Sequence, residues 1–296
     1  MVPHILERNI QMSTDNIEQE HFDVAIIDAD SIIYQIAYTQ KSPALCQKEM
    51  DSKIDSIMGQ TNARSGVIFI KGKGNFRFKV DPEYKSHRVD KIEPDVKERI
   101  DSLYEYTRTF AMEAVDGEAD DYCAITARMA VTEGKSYIIS HIDKDLNCIP
   151  GWHHNFRTGT LYQSNRAECY AWVMQQILTG DSTDNIKGLV KVGPVTAKKI
   201  LDGVAHSNML ALVLDTWQSR QGNEWEENFI KCANNIYLRE YSDDLRPLNL
   251  KELKERLAWK TTDIGLLYQT DQKEPLDSST LFSAQQEDNT SEESNS

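Results

Sequence analysis

The stretch VAIIDADSIIYQIAY, residues 24–38, decides the fold of this 296-residue chain. Residues 24–27 form a short apolar run rich in β-branched side chains, which predicts a buried strand that ends on Asp28. The SIIYQIAY that follows has the apolar spacing of a helix. The stretch therefore predicts a strand that leads almost directly into a helix.

Strands and helices alternate along the chain beyond this stretch. Buried strands are predicted at residues 66–70 (GVIFI) and 137–140 (YIIS), and helices at residues 95–112 and 119–131. The alternation predicts an α/β fold with a largely parallel central sheet and helices on both of its faces. In such a sheet, ligands bind beyond the carboxyl ends of the strands. Asp28 and Asp143 are expected there.

Composition excludes several classes of protein. Hydrophobic residues make up 40% of the chain, which is enough for a substantial core, and no apolar run approaches the roughly 18–20 residues of a membrane helix. The start of the chain lacks the apolar stretch of a signal peptide, so we expect a soluble cytoplasmic protein without a membrane partner. The five cysteines form no C-x-x-C pair, which argues against disulfides and structural zinc. His153 and His154, in a predicted hairpin, are accordingly interpreted as surface histidines.

The net charge of −14 opposes nucleic-acid binding at first sight, because contacts to phosphate need Lys and Arg. The charges are unevenly distributed, however. Residues 71–91 carry seven Lys or Arg against three acids, and residues 187–199 carry four Lys and no acid. A single basic run is typical of a solvated surface. Two runs beside a group of carboxylates favour a surface that binds phosphates.

Nine acidic residues form four short clusters at predicted strand ends or helix starts. The clusters are Asp28 and Asp30; Glu118, Asp120 and Asp121; Asp143 and Asp145; Asp181 and Asp184. Several such ends can meet at one sheet edge, where this much negative charge requires a bound cation. Carboxylate oxygens select Mg²⁺ or Mn²⁺. The clusters therefore predict a divalent-metal nuclease, since phosphodiester cleavage is a natural use of such a site.

Each cluster also has an ordinary structural interpretation. The first could cap the helix that begins near Ser31, and the second could favour the positive end of a helix dipole. The third could belong to a turn, and the fourth, with members three residues apart, could be a capping pair on one helical turn. A cap needs one acid, however, and these clusters have two or three.

At the motifs DAD (28–30), GEADD (117–121), DKDL (143–146) and GDSTDN (180–185), the chain resembles the structure-specific 5′-nucleases. This family contains flap endonucleases and phage 5′-exonucleases, and the resemblance spans about residues 22–205. Residues 81–85 (DPEYK) look like the DPxYK stretch of the T7-like phage exonucleases.

The resemblance implies two bound Mg²⁺ ions, which Mn²⁺ can replace. It assigns Asp28, Glu118 and Asp120 to one ion, with Asp121 bridging the ions or lying behind the ligands. It also makes Asp143 and Asp145 metal ligands, and Asp181 and Asp184 complete the ligand set of the second ion.

One ligand of the family is missing from this chain. The family usually carries an aspartate just after the second strand, whereas residues 69–73 read FIKGK and no Asp occurs between Asp55 and Asp81. Asp30 is a candidate replacement. Two alternatives remain open: a non-catalytic binder of DNA junctions, and a single-strand ribonuclease of the related acidic-site α/β group.

The basic segment 71–94, broken by glycines and prolines, predicts an arch-like insertion above the sheet edge. By resemblance, Lys85 stabilises charge on the scissile phosphate and Arg88 clamps it. Aromatic residues among these charges suit stacking of unpaired bases, although loop cations and core rings are the plain alternative. The candidate DNA contacts of this half of the chain are Tyr34, Lys71, Lys73, Arg77 and Tyr84.

Residues 187–201 (KGLVKVGPVTAKKIL) contain a G-x-x-x-x-G core without the GK[ST] of a nucleotide-binding loop. They resemble the helix-hairpin-helix that 5′-nucleases use on duplex backbone, where family members often hold K⁺. Such contacts carry no base sequence. A plain glycine turn is the alternative. The candidate DNA contacts here are Lys187, Gly188, Lys191, Gly193, Lys198 and Lys199.

The chain is expected to contain a disordered lead (1–21), a catalytic domain (22–180), a helix-hairpin-helix and helical region (181–282) and a disordered acidic tail (283–296). Helices are predicted near residues 225–238 and 250–259. The sequence thus predicts a Mg²⁺-dependent 5′ to 3′ exonuclease with 5′-flap endonuclease activity. Its expected partners are DNA with free 5′ ends or flaps and RNA:DNA hybrids, in a phage-type replication or recombination setting.

Overall fold

The computed structural model describes residues 6–7, 21–87 and 92–260. Most of the predicted lead and all of the predicted tail lie outside the described residues. Within the described ranges, none of the helices is both long and apolar enough to span a bilayer.

Seven strands of the described chain form one sheet, and two short strands form a separate hairpin. The strands are β1 Leu6–Glu7, β2 Phe22–Asp28, β3 Ala63–Lys71, β4 Met112–Ala114, β5 Tyr137–His141, β6 Gly151–Asn155, β7 Thr160–Ser164, β8 Gly180–Asp181 and β9 Ile186–Lys187. The main sheet has the order β1–β3–β2–β5–β6–β7, with β4 also beside β3. All neighbours are parallel except β1–β3 and β6–β7, which confirms the predicted sheet.

Helices cover the sheet and form most of the C-terminal half of the described chain. They are α1 Asp30–Thr39, α2 Pro43–Thr61, α3 Arg77–Val80, α4 Pro94–Thr107, α5 Ala119–Thr132, α6 Arg166–Thr179, α7 Pro194–Leu201, α8 His206–Gln221, α9 Trp225–Ile236 and α10 Leu250–Leu257. The helix predicted at residues 95–112 ends early, because the chain turns after Thr107 and β4 pairs with β3. The other predicted helices agree closely with the structure.

The central strands end level with one another, and this positions the site. Asp28 of β2 lies opposite Phe69 of β3, and Ile27 lies opposite Ser140 of β5. Residues 24–28 are buried, as expected for a strand covered on both faces. The carboxyl ends of β2, β3 and β5 therefore form one edge, from which the following loops and helices project.

Two hydrophobic cores hold these elements. The first packs β2, β3 and β5 against α1, α2 and α4, through residues such as Ile27, Ile33, Ile57, Ile68, Leu103 and Ile138. The second joins α6, α7, α8, α9 and α10, through residues such as Ile177, Ala197, Trp217, Phe229 and Leu253. Tyr84 from the predicted insertion packs into the second core.

The described part of the predicted insertion, through residue 87, packs against this C-terminal region. The Lys85 N–H donates to the Asp184 carbonyl, and the Asn185 side chain donates to the Glu83 carbonyl. Arg77 donates to the carbonyl of Asn235 at the end of α9. These contacts hold the start of the insertion beside the sheet edge.

Candidate active site

Six of the nine predicted acids line one small cavity of about 40 Å³ at the carboxyl edge of the sheet. They are Glu118, Asp120, Asp143, Asp145, Asp181 and Asp184. Tyr84, Lys85 and Gln176 are also part of the lining. Glu118 and Asp120 lie at the start of α5, Asp143 and Asp145 follow β5, and the last two acids belong to the β8–β9 hairpin. The tertiary fold therefore brings three of the four sequence clusters together.

Asp28 adjoins this cavity at the end of β2. Its carboxylate accepts hydrogen bonds from the Asp30 N–H at 3.2 Å and from the Ser31 hydroxyl at 2.9 Å. Burial, followed by the charge of Asp30 and that of Asp143, raises the pKa of Asp28 to about 7. Two donated hydrogen bonds thus fail to offset the loss of water around this carboxylate.

Asp120 and Asp145 share this unfavourable electrostatic environment. Burial, and then the charges of Asp143, Asp28 and neighbouring acids, raise the pKa of Asp120 well above its ordinary value. Burial, and then Asp143 and Asp181, raise the pKa of Asp145 to about 6, although Gln176 donates to Asp145 at 3.2 Å. The cavity therefore holds more negative charge than its own cations neutralise.

Lys85 is the main resident cation. Its ammonium lies 2.6 Å from Oε1 of Glu118 and 3.5 Å from Oδ2 of Asp184. The Tyr84 hydroxyl lies 3.1 Å from carboxylate oxygens of the same two acids. Burial raises the pKa of Glu118, but the positive charges of Arg77 and Lys85 outweigh it, so the net pKa shift is downward. Glu118 is therefore held as a carboxylate.

A second lysine extends this arrangement. The Lys144 ammonium lies 3.4 Å from Oδ2 of Asp181. Among the residues that the structure describes, no three His, Cys, Asp or Glu side chains converge closely enough to hold a metal ion as they stand. Carboxylates repel one another when no cation lies between them. In this structure Glu118 and Asp184 pair with the Lys85 ammonium, and Asp181 pairs with the Lys144 ammonium.

Asp121 occupies a different environment from the other acids of its cluster. It is fully buried, and its two oxygens lie 2.6 and 2.9 Å from the guanidinium nitrogens of Arg77. It also accepts from the backbone N–H groups of Glu118 and Arg239. Burial raises the pKa of Asp121, but the Arg77 charge outweighs it and the net shift is downward. Asp121 closes the capping box of α5 with Glu118 and does not line the cavity.

Asp30 also points away from the cavity lining. Its Oδ1 accepts from the Lys71 N–H and from the Tyr104 hydroxyl, both at 2.9 Å. The second strand, β3, ends at Lys71 and has the buried Ile70 just before it. Asp30, just after β2, thus contacts Lys71 at the end of β3.

Two of the predicted DNA contacts are buried rather than exposed. Arg77 lines the cavity but is fully buried, and its guanidinium is paired with Asp121. The Tyr84 ring is 2% exposed, since it packs into the second core and its hydroxyl faces Glu118 and Asp184. It cannot serve as a stacking ring. Phe78, which meets Tyr84 edge-on, is 51% exposed instead.

Tyr34 and Lys71 do lie on an accessible surface next to the acidic edge. The Lys71 ammonium is 3.1 Å from the Tyr34 hydroxyl and 4.5 Å from the centre of the Tyr104 ring. These three residues line an open groove of about 650 Å³ between α1 and α4. Lys73 is exposed on the loop after β3, and Arg88 lies outside the described residues.

The glycine-rich loop connects β9 to α7, with Gly193 as the residue before the helix. Gly188 packs so closely on the end of α6 that a Cβ there would lie 2.1 Å from the carbonyl carbon of Thr179. Lys191 adopts a positive φ of 61°, which helps the loop to turn tightly. The exposed predicted lysines of this region are Lys187, Lys191, Lys198 and Lys199. Lys187 is paired with Glu83 at 2.9 Å.

Comparison with solved structures identifies the fold. The T5 5′-exonuclease with bound zinc superimposes with a TM-score of 0.60 at 18% identity, covering 80% of this chain and 97% of that chain. The T5 flap endonuclease in a complex with DNA and metal ions gives 0.56 at 16% identity, covering 80% and 98%. The chain has the T5 5′-exonuclease fold. The fold expected from the motif resemblance is thus confirmed.

Sequence relatives agree with this fold over part of the chain. DNA polymerase I of Deinococcus radiodurans is 31% identical over 147 residues, which is 46% of this chain and 15% of the polymerase. DNA polymerase I of Rhizobium leguminosarum is 29% identical over 164 residues, 49% of this chain and 15% of the polymerase. The chain thus matches about 15% of the length of these relatives. No family model matches it.

The structure differs from two local interpretations of the sequence. Asp181 and Asp184 do not share a helical turn, because Asp181 is in β8 and Asp184 lies in the turn that leads to β9. His153 and His154 are in the predicted hairpin, but both are fully buried rather than on the surface. His153 contacts His141 on β5, and His154 contacts Ser140 on β5 and Gln60 on α2.

The 5′-exonuclease fold also brings in site residues that sequence reasoning missed. Gln176 reaches Asp145 from α6, and Asn75 donates to Glu118 at 3.0 Å. Nothing in the local sequence marks either residue, because each contact joins segments at least 31 residues apart. Lys144 differs from these two residues, because its place between the two acids of the DKDL motif is apparent from the sequence.

Proposed function

We propose that this chain is a divalent-metal-dependent 5′ to 3′ exonuclease with 5′-flap endonuclease activity on DNA. The observation that carries the proposal is the cavity at the carboxyl edge of the sheet, which six acids line together with Lys85. The likeness in fold to the T5 5′-exonuclease and the partial match to DNA polymerase I support the same class of enzyme.

The donor set of the cavity fits Mg²⁺ or Mn²⁺. All of the acidic groups offer hard oxygen ligands, which these ions prefer. The raised pKa values of Asp28, Asp120 and Asp145 indicate an excess of buried negative charge that bound cations would relieve. The proposed ligands are Asp28, Glu118, Asp120, Asp143, Asp145, Asp181 and Asp184. Asp30 stays a candidate, whereas Asp121 is left out because Arg77 occupies both of its oxygens.

The chemistry proposed for this site is hydrolysis of a phosphodiester. Divalent ions, when bound, neutralise the carboxylates, activate the attacking water and stabilise the leaving oxygen. The chain itself supplies Lys85, whose N–H groups can pass from Glu118 and Asp184 to a phosphoryl oxygen as charge develops there. Tyr84 keeps the same two carboxylates oriented from the core side. Arg88 is proposed as a second phosphate contact.

Two surfaces are proposed to bind the DNA. The groove with Tyr34 and Lys71 adjoins the acidic edge and offers a ring and an ammonium to an unpaired 5′ strand. The glycine-rich loop and α7, with Lys191, Lys198 and Lys199, are proposed as a helix-hairpin-helix that contacts duplex backbone and holds K⁺. Because these contacts address sugar and phosphate, cleavage should depend on structure rather than base sequence. RNA:DNA hybrids and a phage-type replication or recombination role are further parts of the proposal.

The test is cleavage of 5′-labelled and 3′-labelled flap duplexes with Mg²⁺, with Mn²⁺ and with EDTA. We expect metal-dependent release of the 5′ strand, its loss in Asp143→Ala, and full activity in Asp215→Asn, an exposed aspartate on α8. Product length separates exonuclease from flap cleavage. Tight binding of the flap without cleavage under any metal would show a DNA-junction binder instead, and preferential cleavage of single-stranded RNA would show a ribonuclease.

A further inference from the structure

The loop that carries Asp143 and Asp145 is held from outside by side chains of four elements. This acidic loop, residues 142–150, connects the parallel strands β5 and β6 without an α-helix. A loop of this kind cannot satisfy its carbonyl oxygens through helical hydrogen bonds alone. Four of its carbonyls instead receive hydrogen bonds from His141, Tyr137, His153 and Cys169.

The contacts cluster on two buried histidines. Nδ1 of His141 lies 2.6 Å from the carbonyl oxygen of Asp143, and Nε2 of His153 lies 2.9 Å from that of Ile149. The two rings meet between these ends, with 2.9 Å from Nε2 of His141 to Nδ1 of His153. A chain of side-chain contacts therefore spans the loop from its first acid to its last turn.

Tyr162 on β7 completes the cluster. Its ring stacks on His153 with 5.1 Å between the ring centres, and its hydroxyl donates to Oδ1 of Asn147 in the middle of the loop at 2.6 Å. The same hydroxyl lies 3.3 Å from Nε2 of His141. Gln176 adds a contact to Asp145 from α6. Each end and the centre of the acidic loop is thus tied to a rigid element.

The hydrogen-bond roles at the first acid follow from counting hydrogens. Burial lowers the pKa of His141 to about 4 and that of His153 to about 3, so both rings are neutral near pH 7. Two neutral rings carry two N–H groups for the three contacts. The Asp143 carbonyl can only accept, so the shortest contact takes the Nδ1 hydrogen of His141. The Ile149 carbonyl also only accepts, so the other hydrogen lies on Nε2 of His153, and the contact between the two rings has no hydrogen of its own.

The adjacent histidine provides a comparison within the same strand. His154 is as deeply buried as His153, but it projects to the opposite face of β6. There it contacts the Ser140 hydroxyl and Oε1 of Gln60, both at 2.8 Å, and no hydrogen bond joins it to the acidic loop. His141 and His153 thus contact the acidic loop, whereas His154 contacts Ser140 and Gln60 instead.

We propose that His141, His153 and Tyr162 are positioning residues that hold Asp143 and Asp145 in place for a divalent cation. The inference rests on the proposed function, since it assigns these two acids to metal binding. Partners that orient ligands behind a metal site typically change metal affinity about 10–100-fold when they are removed. None of the three residues contacts the cavity itself, so they would act through the loop.

The experiment is calorimetric titration of the full chain with Mn²⁺, beside cleavage measured against Mg²⁺ concentration. His141→Leu removes the donor to the Asp143 carbonyl, whereas His141→Asn keeps an N–H group near the position of Nδ1. We expect His141→Leu to raise the Mn²⁺ Kd about tenfold and His141→Asn to restore most of the affinity. Cleavage by His141→Leu should recover at high Mg²⁺ concentration, because the acids themselves are intact.

His154→Leu is the matched control, since it removes an equally buried imidazole from the other face. It should lower the melting temperature comparably and leave the Mn²⁺ Kd near that of the unaltered chain. Tyr162→Phe keeps the ring and removes the hydroxyl from the loop. It gives a second, gentler variant, in case His141→Leu does not fold, and should raise the Kd by a few-fold.

The outcomes separate the two levels of the proposal. Equal changes of Kd in the matched leucine variants at His141 and His154, or an unchanged Kd in Tyr162→Phe, would overturn the positioning role while leaving the nuclease proposal intact. Absence of Mn²⁺ binding and of cleavage in the unaltered chain would overturn the proposed function and this inference together.

Discussion

Lys85 and Glu118 form a short ion pair in the middle of the acidic cavity, with 2.6 Å between the ammonium and Oε1. Both side chains are mostly buried, and the Lys85 ammonium also faces Asp184 at 3.5 Å. Lys85 has a positive φ of 54°, which an L-residue adopts only at some cost. The pair therefore places a cation of the chain itself among carboxylates that are proposed to bind metal.

Replacing Lys85 by Met should separate its two roles. Without metal, the variant leaves Glu118 and Asp184 without this counter-charge, so its melting temperature should fall. Added Mg²⁺ should raise that temperature by more than in the unaltered chain, because the ion replaces the missing charge. Loss of a donor to the developing phosphoryl charge should reduce cleavage about 10²-fold. Thermal melts with and without Mg²⁺, beside flap cleavage, check both points, and an unchanged response to Mg²⁺ would contradict them.

Asp120→Asn should stabilise the metal-free protein while it removes activity. The pKa of Asp120 is raised in the folded state, so its charged form is disfavoured there at pH 7, and a neutral amide relieves that cost. The free energy of unfolding should therefore be higher for Asp120→Asn than for the unaltered chain. Urea unfolding in EDTA measures it. Asp215→Asn is the exposed control, which should change neither stability nor cleavage.

Arg77→Met should destabilise the fold rather than weaken DNA binding selectively. It leaves the fully buried Asp121 carboxylate without its partner, which typically costs about 3–5 kcal/mol. The double variant Arg77→Met with Asp121→Leu should recover much of that loss, because it removes both buried charges. Urea unfolding of the single and double variants gives the coupling. If Arg77→Met instead kept full stability and lost only phosphate affinity, the buried ion pair would be the wrong account.

His154 should make stability depend on pH. Burial lowers the pKa of His154 to about 4, whereas an unfolded histidine titrates near 6.5. The contribution of the neutral ring is therefore present above pH 6.5 and is lost as pH falls toward 4. The difference in unfolding free energy between the unaltered chain and His154→Gln should shrink by up to about 1.4 kcal/mol per pH unit in that window. Urea unfolding in EDTA at pH 7.5, 6 and 5 tests it, and a constant difference would contradict it.

Much of the sheet was predictable because its central strands carry a local signal. The apolar runs before Asp28 and Asp143 correspond to β2 and β5, and the helix predicted from residue 95 begins at Pro94. Helix α2 was not predicted, although its buried Cys46 and Met50 lie at helical spacing. Strand β4 has three residues, too few for a periodic pattern, and exists because it pairs with the end of β3.

The sequence by itself determined where the acidic residues stand along the chain: at the ends of strands and the starts of helices. That information is local, since it depends on apolar periodicity and on the residues that interrupt it. From it follow the α/β class, the carboxyl edge as the site, and Glu118 at the start of α5.

The tertiary structure alone decided what each side chain meets. Asp121 and Asp120 are neighbours in sequence, yet one pairs with Arg77, 44 residues away, and the other faces the cavity. His153 and His154 likewise project to opposite faces of one strand, and only the first joins His141 and the acidic loop. Partners of this kind depend on how distant elements pack, because burial and charge pairing are properties of the assembled core rather than of any local pattern.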